Sequence, residues 1–190
     1  MPEVRPTSPS VLYRIVEELP EGLTGEILDG QIHAQSRPST LHGLVSSVLG
    51  MKLGGPFHMG NGGPGGWWII HEPEIHFLRD IDVAVPDLAG WRRERIPKLP
   101  KGHRVEIVPD WVCEILSPST ASRDREVKLP LYARYGVGYA WIIDPIVHTL
   151  EAYQLAADAW IEIGHFTEID HITVPPFETV SISLEGLWMD

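Results

Sequence analysis

The stretch from Trp111 to Tyr135 reads WVCEILSPSTASRDREVKLPLYARY and brings an acid and a base close together along the chain. Glu114 interrupts an apolar run of strand character. Ser117, Pro118 and Ser119 make a turn, and the helical pattern that follows carries Lys128. An ionised carboxylate on a buried strand is costly unless something pairs with it. A metal ion, or a lysine folded back from the next helix, would supply the partner. A second acid, Asp87, follows Val83, Val85 and Pro86 at the end of another apolar strand, where α/β proteins place their sites. Two carboxylates and a lysine at strand ends suit a hard cation, Mg²⁺ or Mn²⁺, bound through oxygen and retaining most of its waters. Such an ion polarises a phosphate oxygen and acidifies a bound water. The lysine orients that water or stabilises developing charge, and the chemistry is phosphodiester hydrolysis without a covalent enzyme intermediate.

Each of these residues also has a plainer use. Asp87 could cap a turn. Glu114 could face solvent, because its apolar neighbours on both sides leave its face undecided. Lys128 could pair with Asp124 on the surface. Asp124, Lys128 and Tyr132 are spaced by four and share one helix face. Pro130 removes a backbone donor, so it bends this helix or marks its true beginning. Cys113 fits an ordinary core thiol. In HEPEIH (71–76), Glu74 and His76 share a strand face, but no cluster has the four-ligand spacing of a structural zinc site.

The elements that must position these groups follow in chain order. Residues 1–10 read as a loose arm, and Val11 to Leu19 as a short helix capped by Ser8 or Ser10. In GEILDGQIHA, Asp29-Gly30 between two apolar runs predicts a hairpin with a type I′ turn, with Glu26 on its first arm. Leu41, Leu44, Val45, Val48, Leu49 and Leu53 recur at helical spacing, with Ser39 or Thr40 at the start, His42 in the first turn and Gly54-Gly55-Pro56 at the end. A glycine-rich surface loop comes next, without the Gly-Lys-Ser/Thr of a phosphate cradle. Residues 67–78 read as a strand interrupted near Pro73, and 81–91 as another with Pro86 near its end. After the strand WVCEIL, the helix from about Arg123 to Tyr135 and the strand YAWIIDP form a crossover, so those two strands should be parallel neighbours. Short antiparallel strands and one closing helical turn over Leu184–Met189 complete a single α/β domain, residues 1–190, built on one mixed sheet in three layers.

Composition narrows the function. A hydrophobic fraction of 43% with seven tryptophans marks a globular chain. No apolar run reaches the roughly 20 residues of a membrane helix, and the N-terminus lacks a secretory pattern. A single cysteine cannot form an internal disulfide. Together these place the chain in the cytoplasm, away from membranes. A net charge of −11 disfavours tight, sequence-independent binding of nucleic acid, because such affinity comes from cations meeting phosphates. Yet Arg92, Arg93, Arg95, Lys98, Lys101 and Arg104 lie together. They are either a solvated loop or a local phosphate-steering surface.

VPDLAGW, CEILSPST and REVKLPLYARYGVGYAWIIDP, in that order, resemble the Uma2 family (DUF820), placed in the PD-(D/E)XK nuclease superfamily. The likeness runs from GEILDGQI to ISLEGLW. It implies a restriction-endonuclease-like three-layer fold, a central mixed β-sheet flanked by helices, with extra N- and C-terminal hairpins. It implies that Asp87 is the acid of the PD motif and Glu114 the acid of the third-strand motif, together holding the metal. The superfamily's lysine position, two residues after that acid, is Leu116 here. In Uma2-like chains a lysine on the following helix takes its place, and Lys128 stands there. Glu26 matches the acid of the family's N-terminal hairpin, and His42 a histidine at the start of its first long helix.

The expectation is a Mg²⁺-dependent endonuclease. Asp87 and Glu114 hold the metal, Lys128 positions the water, Glu26 and His42 assist, and the basic stretch guides nucleic acid, with DNA the first expectation. Superfamily enzymes often work as homodimers. The alternative is a catalytically inactive interaction or dimerisation module on a nuclease fold, favoured by the net charge, Pro130 and Leu116. Hydrolysis of a small phosphate ester is the third possibility.

Overall fold

A computed structural model describes residues 8–188. Of the expected arm, 1–7 lie outside the described residues. Pro9 already opens helix α1 (Pro9–Glu17), with Ser8 at its N-cap position but without a side-chain capping bond. β1 (Leu23–Leu28) and β2 (Gln31–Ser36) form the expected hairpin. Asp29 and Gly30 at its tip have φ of 50° and 73°, positive at both central positions as a type I′ turn requires. Helix α2 (Thr40–Leu53) begins where Ser39 Oγ accepts a hydrogen bond from the His42 backbone N–H. It does not stop at Gly54. The chain continues through a π-helical turn, Gly54–Met59. This turn carries Phe57 into the core, where its ring lies 4.7 Å from that of Phe177.

The next strands differ most from expectation. The run 67–78 is two strands, β3 (Trp67–His71) and β4 (Glu74–Leu78), and 81–91 is two more, β5 (Asp82–Ala84) and β6 (Leu88–Arg92). β3 pairs with β6 and β4 with β5, all antiparallel. Together they are one long hairpin, bent at Glu72-Pro73 on one arm and at Pro86-Asp87 on the other. Proline cannot donate to a ladder, and both arms carry one at the bend. The two halves therefore join different sheets, in place of the single sheet expected. With β7 (Arg104–Val105), the smaller sheet has the order β2-β1-β5-β4-β7. With β8 (Trp111–Ile115), β9 (Tyr139–Asp144), β10 (Thr149–Ala156) and β11 (Ala159–Thr167), the larger has the order β11-β10-β9-β8-β6-β3. β8 and β9 are parallel neighbours, as the crossover predicted. β12 (His171–Ile172) and β13 (Ile182–Ser183) form a separate pair, and a turn, not a helix, follows over 185–188.

The crossover helix α3 spans 121–134. It opens as Ala121–Arg123, widens into a π turn over Asp124–Lys128, and closes as Leu129–Arg134. Pro130 falls in the first turn of that last segment, where its missing N–H costs least. β8 is buried on both faces. Trp111, Cys113 and Ile115 pack with α2, whereas Val112 and Leu116 pack with α3. By this alternation Glu114 faces α3, and the helix–sheet–helix layering brings it toward Lys128.

Gly90 sits in β6 beneath two indoles. A Cβ there would lie 3.2 Å from both Trp67 and Trp111, which are themselves buried. Gly90→Ala should lower stability by about 1–3 kcal/mol through overpacking, seen as a reduced urea midpoint with an unchanged slope.

Candidate active site

The bend in the long hairpin opens a cleft of about 500 Å³ between the two sheets. One wall is the β2–α2 connection, with Gln35, Arg37 and Ser39. The other is the Ser117–Arg123 turn into α3. Asp87, Glu114, Lys128 and His42 all line the space between them.

Lys128 is the centre of the floor. Its side chain is 2% exposed. Its Nζ donates to Glu114 at 2.9 Å and to the Val85 carbonyl at 3.3 Å, and lies 3.0 Å from Glu26 Oε1 and 4.0 Å from Asp124 Oδ1. Glu26 Oε1 also accepts the Val85 N–H at 2.9 Å. Tyr132 donates its hydroxyl to the other oxygen of Glu114. Asp124, Lys128 and Tyr132, spaced by four, are all buried on the face of α3 that meets β8.

Asp87 is held from two sides. Oδ2 accepts the Ile115 N–H at 2.6 Å, one residue beyond Glu114, and Oδ1 lies 2.7 Å from His42 Nε2. The capped start of α2 aims that histidine into the cleft. Residues 45 positions apart therefore meet only because the hairpin bends where it does.

Negative charge is in excess here. Burial pushes the Glu114 carboxyl well up; Lys128 pulls it back, and Asp124, Asp87 and Glu26 push it further. Asp124 is raised in the same way, by burial first. Lys128 moves up and stays cationic: burial disfavours its charge, but Glu114, Glu26, Asp124 and Asp87 outweigh that cost. One oxygen, Glu26 Oε2, is buried without a hydrogen-bond partner. That oxygen faces Arg123 Nε at 3.9 Å. The hard oxygen donors on the cleft wall, Asp87 and Glu114, fit a small divalent cation. Among the described residues no three His, Cys, Asp or Glu side chains already form a ligand cluster.

His42 is raised above its usual value. Burial pulls it down, but the bond to Asp87 and the fields of Asp87, Glu72 and Asp124 more than compensate. A raised histidine stabilises the fold fully below its unfolded value of about 6.5, and the contribution is lost as pH rises through the folded value. The stability difference between wild type and His42→Gln should therefore be largest near pH 5.5 and shrink by pH 8.5, in urea titrations across that range.

The basic stretch does not reach the cleft; none of its six cations lines it. Arg93 stacks on Trp68 at 3.9 Å and donates to the carbonyls of Trp67 and His58. Arg92 lies over Trp67, Arg95 holds Asp110, and Arg104 holds Glu17 and Tyr13. These guanidiniums have structural partners of their own, which a run of like charges in sequence does not reveal. Lys98 and Lys101 are exposed. Conversely, no motif or spacing marked Arg37 or Arg123, which do line the cleft.

Comparison with known proteins bears on the fold and the family. The Uma2 family model, described as "Putative restriction endonuclease", matches residues 13–185. A crystal structure of "a putative nuclease belonging to DUF820" from Anabaena variabilis superposes with a TM-score of 0.73 at 23% identity, covering 96% of this chain and 97% of that one. The fold is therefore restriction-endonuclease-like. A search of curated proteins found no match. Among the described residues no helix is long and apolar enough to cross a membrane.

Proposed function

The chain belongs to the Uma2 family, and on that premise we propose that it is a metal-dependent endonuclease that hydrolyses nucleic-acid phosphodiester bonds. The observation that carries the proposal is the meeting of Asp87, Glu114 and Lys128 in one cleft, with the Lys128 amine 2.9 Å from Glu114.

Asp87 and Glu114 would hold Mg²⁺ or Mn²⁺, which supplies a polarised phosphate oxygen and an acidic water. The protein's own part is positioning. The Ile115 N–H and His42 fix Asp87, and Tyr132 and Lys128 fix Glu114. Lys128 would orient the attacking water by releasing its longest bond, the one to the Val85 carbonyl. Glu26 keeps the amine protonated and centred. His42, whose bond to Asp87 favours its protonated form, would add a positive group beside the phosphate. A homodimer would let two such sites address two strands, and light scattering would give its mass.

Incubation of plasmid and single-stranded DNA with Mg²⁺ or Mn²⁺ tests the proposal. Cutting should require the metal and disappear in Asp87→Ala; cutting that survives this change would refute the assignment.

One observation favours a second reading, an inactive module on the nuclease fold. The three amine hydrogens of Lys128 already have partners in Glu114, Glu26 and Val85, so none is free for water. Titration calorimetry separates the readings, because the inactive module would take up neither Mg²⁺ nor Mn²⁺.

A further inference from the structure

Two further cations, Arg123 and Arg37, line the cleft away from the Lys128 amine. Arg123, on the first turn of α3, reaches across to β2, where its Nη2 donates to Gln35 Oε1. Its Nε is buried without a hydrogen-bond partner and lies 3.9 Å from Glu26 Oε2, too far to bond it. The side chain is 16% exposed and lines the cleft, which leaves its charge at the wall a phosphate would pass. Arg37 stands on the opposite wall, exposed, and pairs with no acid among the described residues. Arginine's planar donors suit phosphate oxygens.

We propose that Arg37 and Arg123 are the phosphate-binding cations of this protein, and that the strand they hold is single. The inference rests on the phosphodiesterase reading of the cleft and adds its substrate class. A duplex binder commonly neutralises many phosphates, with a correspondingly steep salt dependence. Here the four arginines of the basic stretch have structural partners, the body carries a charge of −11, and the cleft of about 500 Å³ accepts a small flexible ligand more readily than a duplex face. An unpaired strand can present one or two phosphates to two arginines and turn away from the acidic surface.

The test is fluorescence anisotropy of a labelled 12-nucleotide single strand between 50 and 200 mM KCl, with Ca²⁺ in place of Mg²⁺. Two phosphate contacts on a single strand predict a log–log salt slope of about −1.4. Arg123→Gln and Arg37→Gln should each weaken binding several-fold and bring the slope to about −0.7, whereas Lys98→Gln and Lys101→Gln should change neither. Thermal melting accompanies each variant. If Arg123→Gln fails to fold, exposed Arg37 and the charge-retaining Arg123→Lys carry the measurement. An unchanged slope in the arginine variants overturns the proposal, as does loss of binding in the lysine variants alone. Tighter binding of the matching duplex, or equal competition by a nucleoside monophosphate, overturns the single-strand assignment. Absence of any binding overturns both parts. Strand binding with these slopes but no cutting in any metal would sink the endonuclease reading and leave the clamp standing.

Discussion

Lys128→Met should destabilise the protein by about 3–5 kcal/mol, the usual cost of removing one partner from a buried ion pair. The amine lies 2.9 Å from Glu114 and 3.0 Å from Glu26, both side chains at most 3% exposed. Without it, two buried carboxylates lose the cation that stands between them. The raised value of the lysine means that its contribution is complete below its unfolded value of about 10.4, so urea unfolding at pH 7 measures all of it. The variant should also recover stability as the solution is acidified. Burial already pushes Glu114 up, and loss of the cation pushes it higher. The folded variant then takes up a proton at a pH where the unfolded chain, near 4.3, has not. Stability rises as pH falls through that interval. Adding Glu114→Gln and Glu26→Gln to Lys128→Met should restore part of the loss at pH 7. A single variant as stable as wild type would mean that the amine carries no weight in the fold.

Local chemistry made much of the fold legible. Asp29-Gly30 specified its turn because few dipeptides tolerate two positive φ values. The succession of β8, α3 and β9 specified a parallel pair because a helix can join neighbouring strands only by crossing over. The bend of the long hairpin was not legible, although Pro73 and Pro86 both marked it. A proline says where a ladder stops, not that the two halves continue into different sheets. That outcome depends on pairing with β1 on one side and β8 on the other. The π turns escaped for a similar reason. Gly54-Gly55-Pro56 has the composition of a helix stop, and the burial of Phe57 overrides it.

The site shows the same division between local and long-range information. The spacing of four between Asp124, Lys128 and Tyr132 already placed them on one face, and the structure buries that face against Glu114. Which face of β8 the acid takes was not readable, since Val112, Cys113, Ile115 and Leu116 are apolar on both sides. The basic stretch stayed open to two readings because charge in sequence does not reveal partners in space. Arg93 and Arg95 bond carbonyls and Asp110 brought near by strand pairing. Arg123 stood among charged neighbours in SRDREVK with nothing to distinguish it, and only the approach of β2 makes it a wall of the cleft.

Glu114→Gln should separate catalysis from folding. The carboxylate is buried at some cost, shown by the direction in which burial moves it. A raised acid costs the folded state stability above its folded value, and the cost shrinks as pH falls through that value and is gone below the unfolded value of about 4.3. Glutamine has nearly the same shape and carries no charge, but it offers one acceptor oxygen where the carboxylate uses both, one toward Lys128 and the other toward Tyr132. Lys128 keeps Glu26 at 3.0 Å and Asp124 at 4.0 Å, so it is not left alone. Stability should fall by about 1–3 kcal/mol, because one buried donor loses its acceptor while relief of carboxylate desolvation offsets part of the cost. Metal-dependent cleavage should fall by about 10³-fold or more, since an amide is a poor ligand for a hard cation and the metal supplies the largest share of charge stabilisation. Paired urea unfolding and single-turnover cleavage on one preparation read both quantities. A protein that keeps its fold and loses its cutting places Glu114 in the chemistry. Equal losses in both would make it a buried strut, and unimpaired cutting would remove it from the metal site.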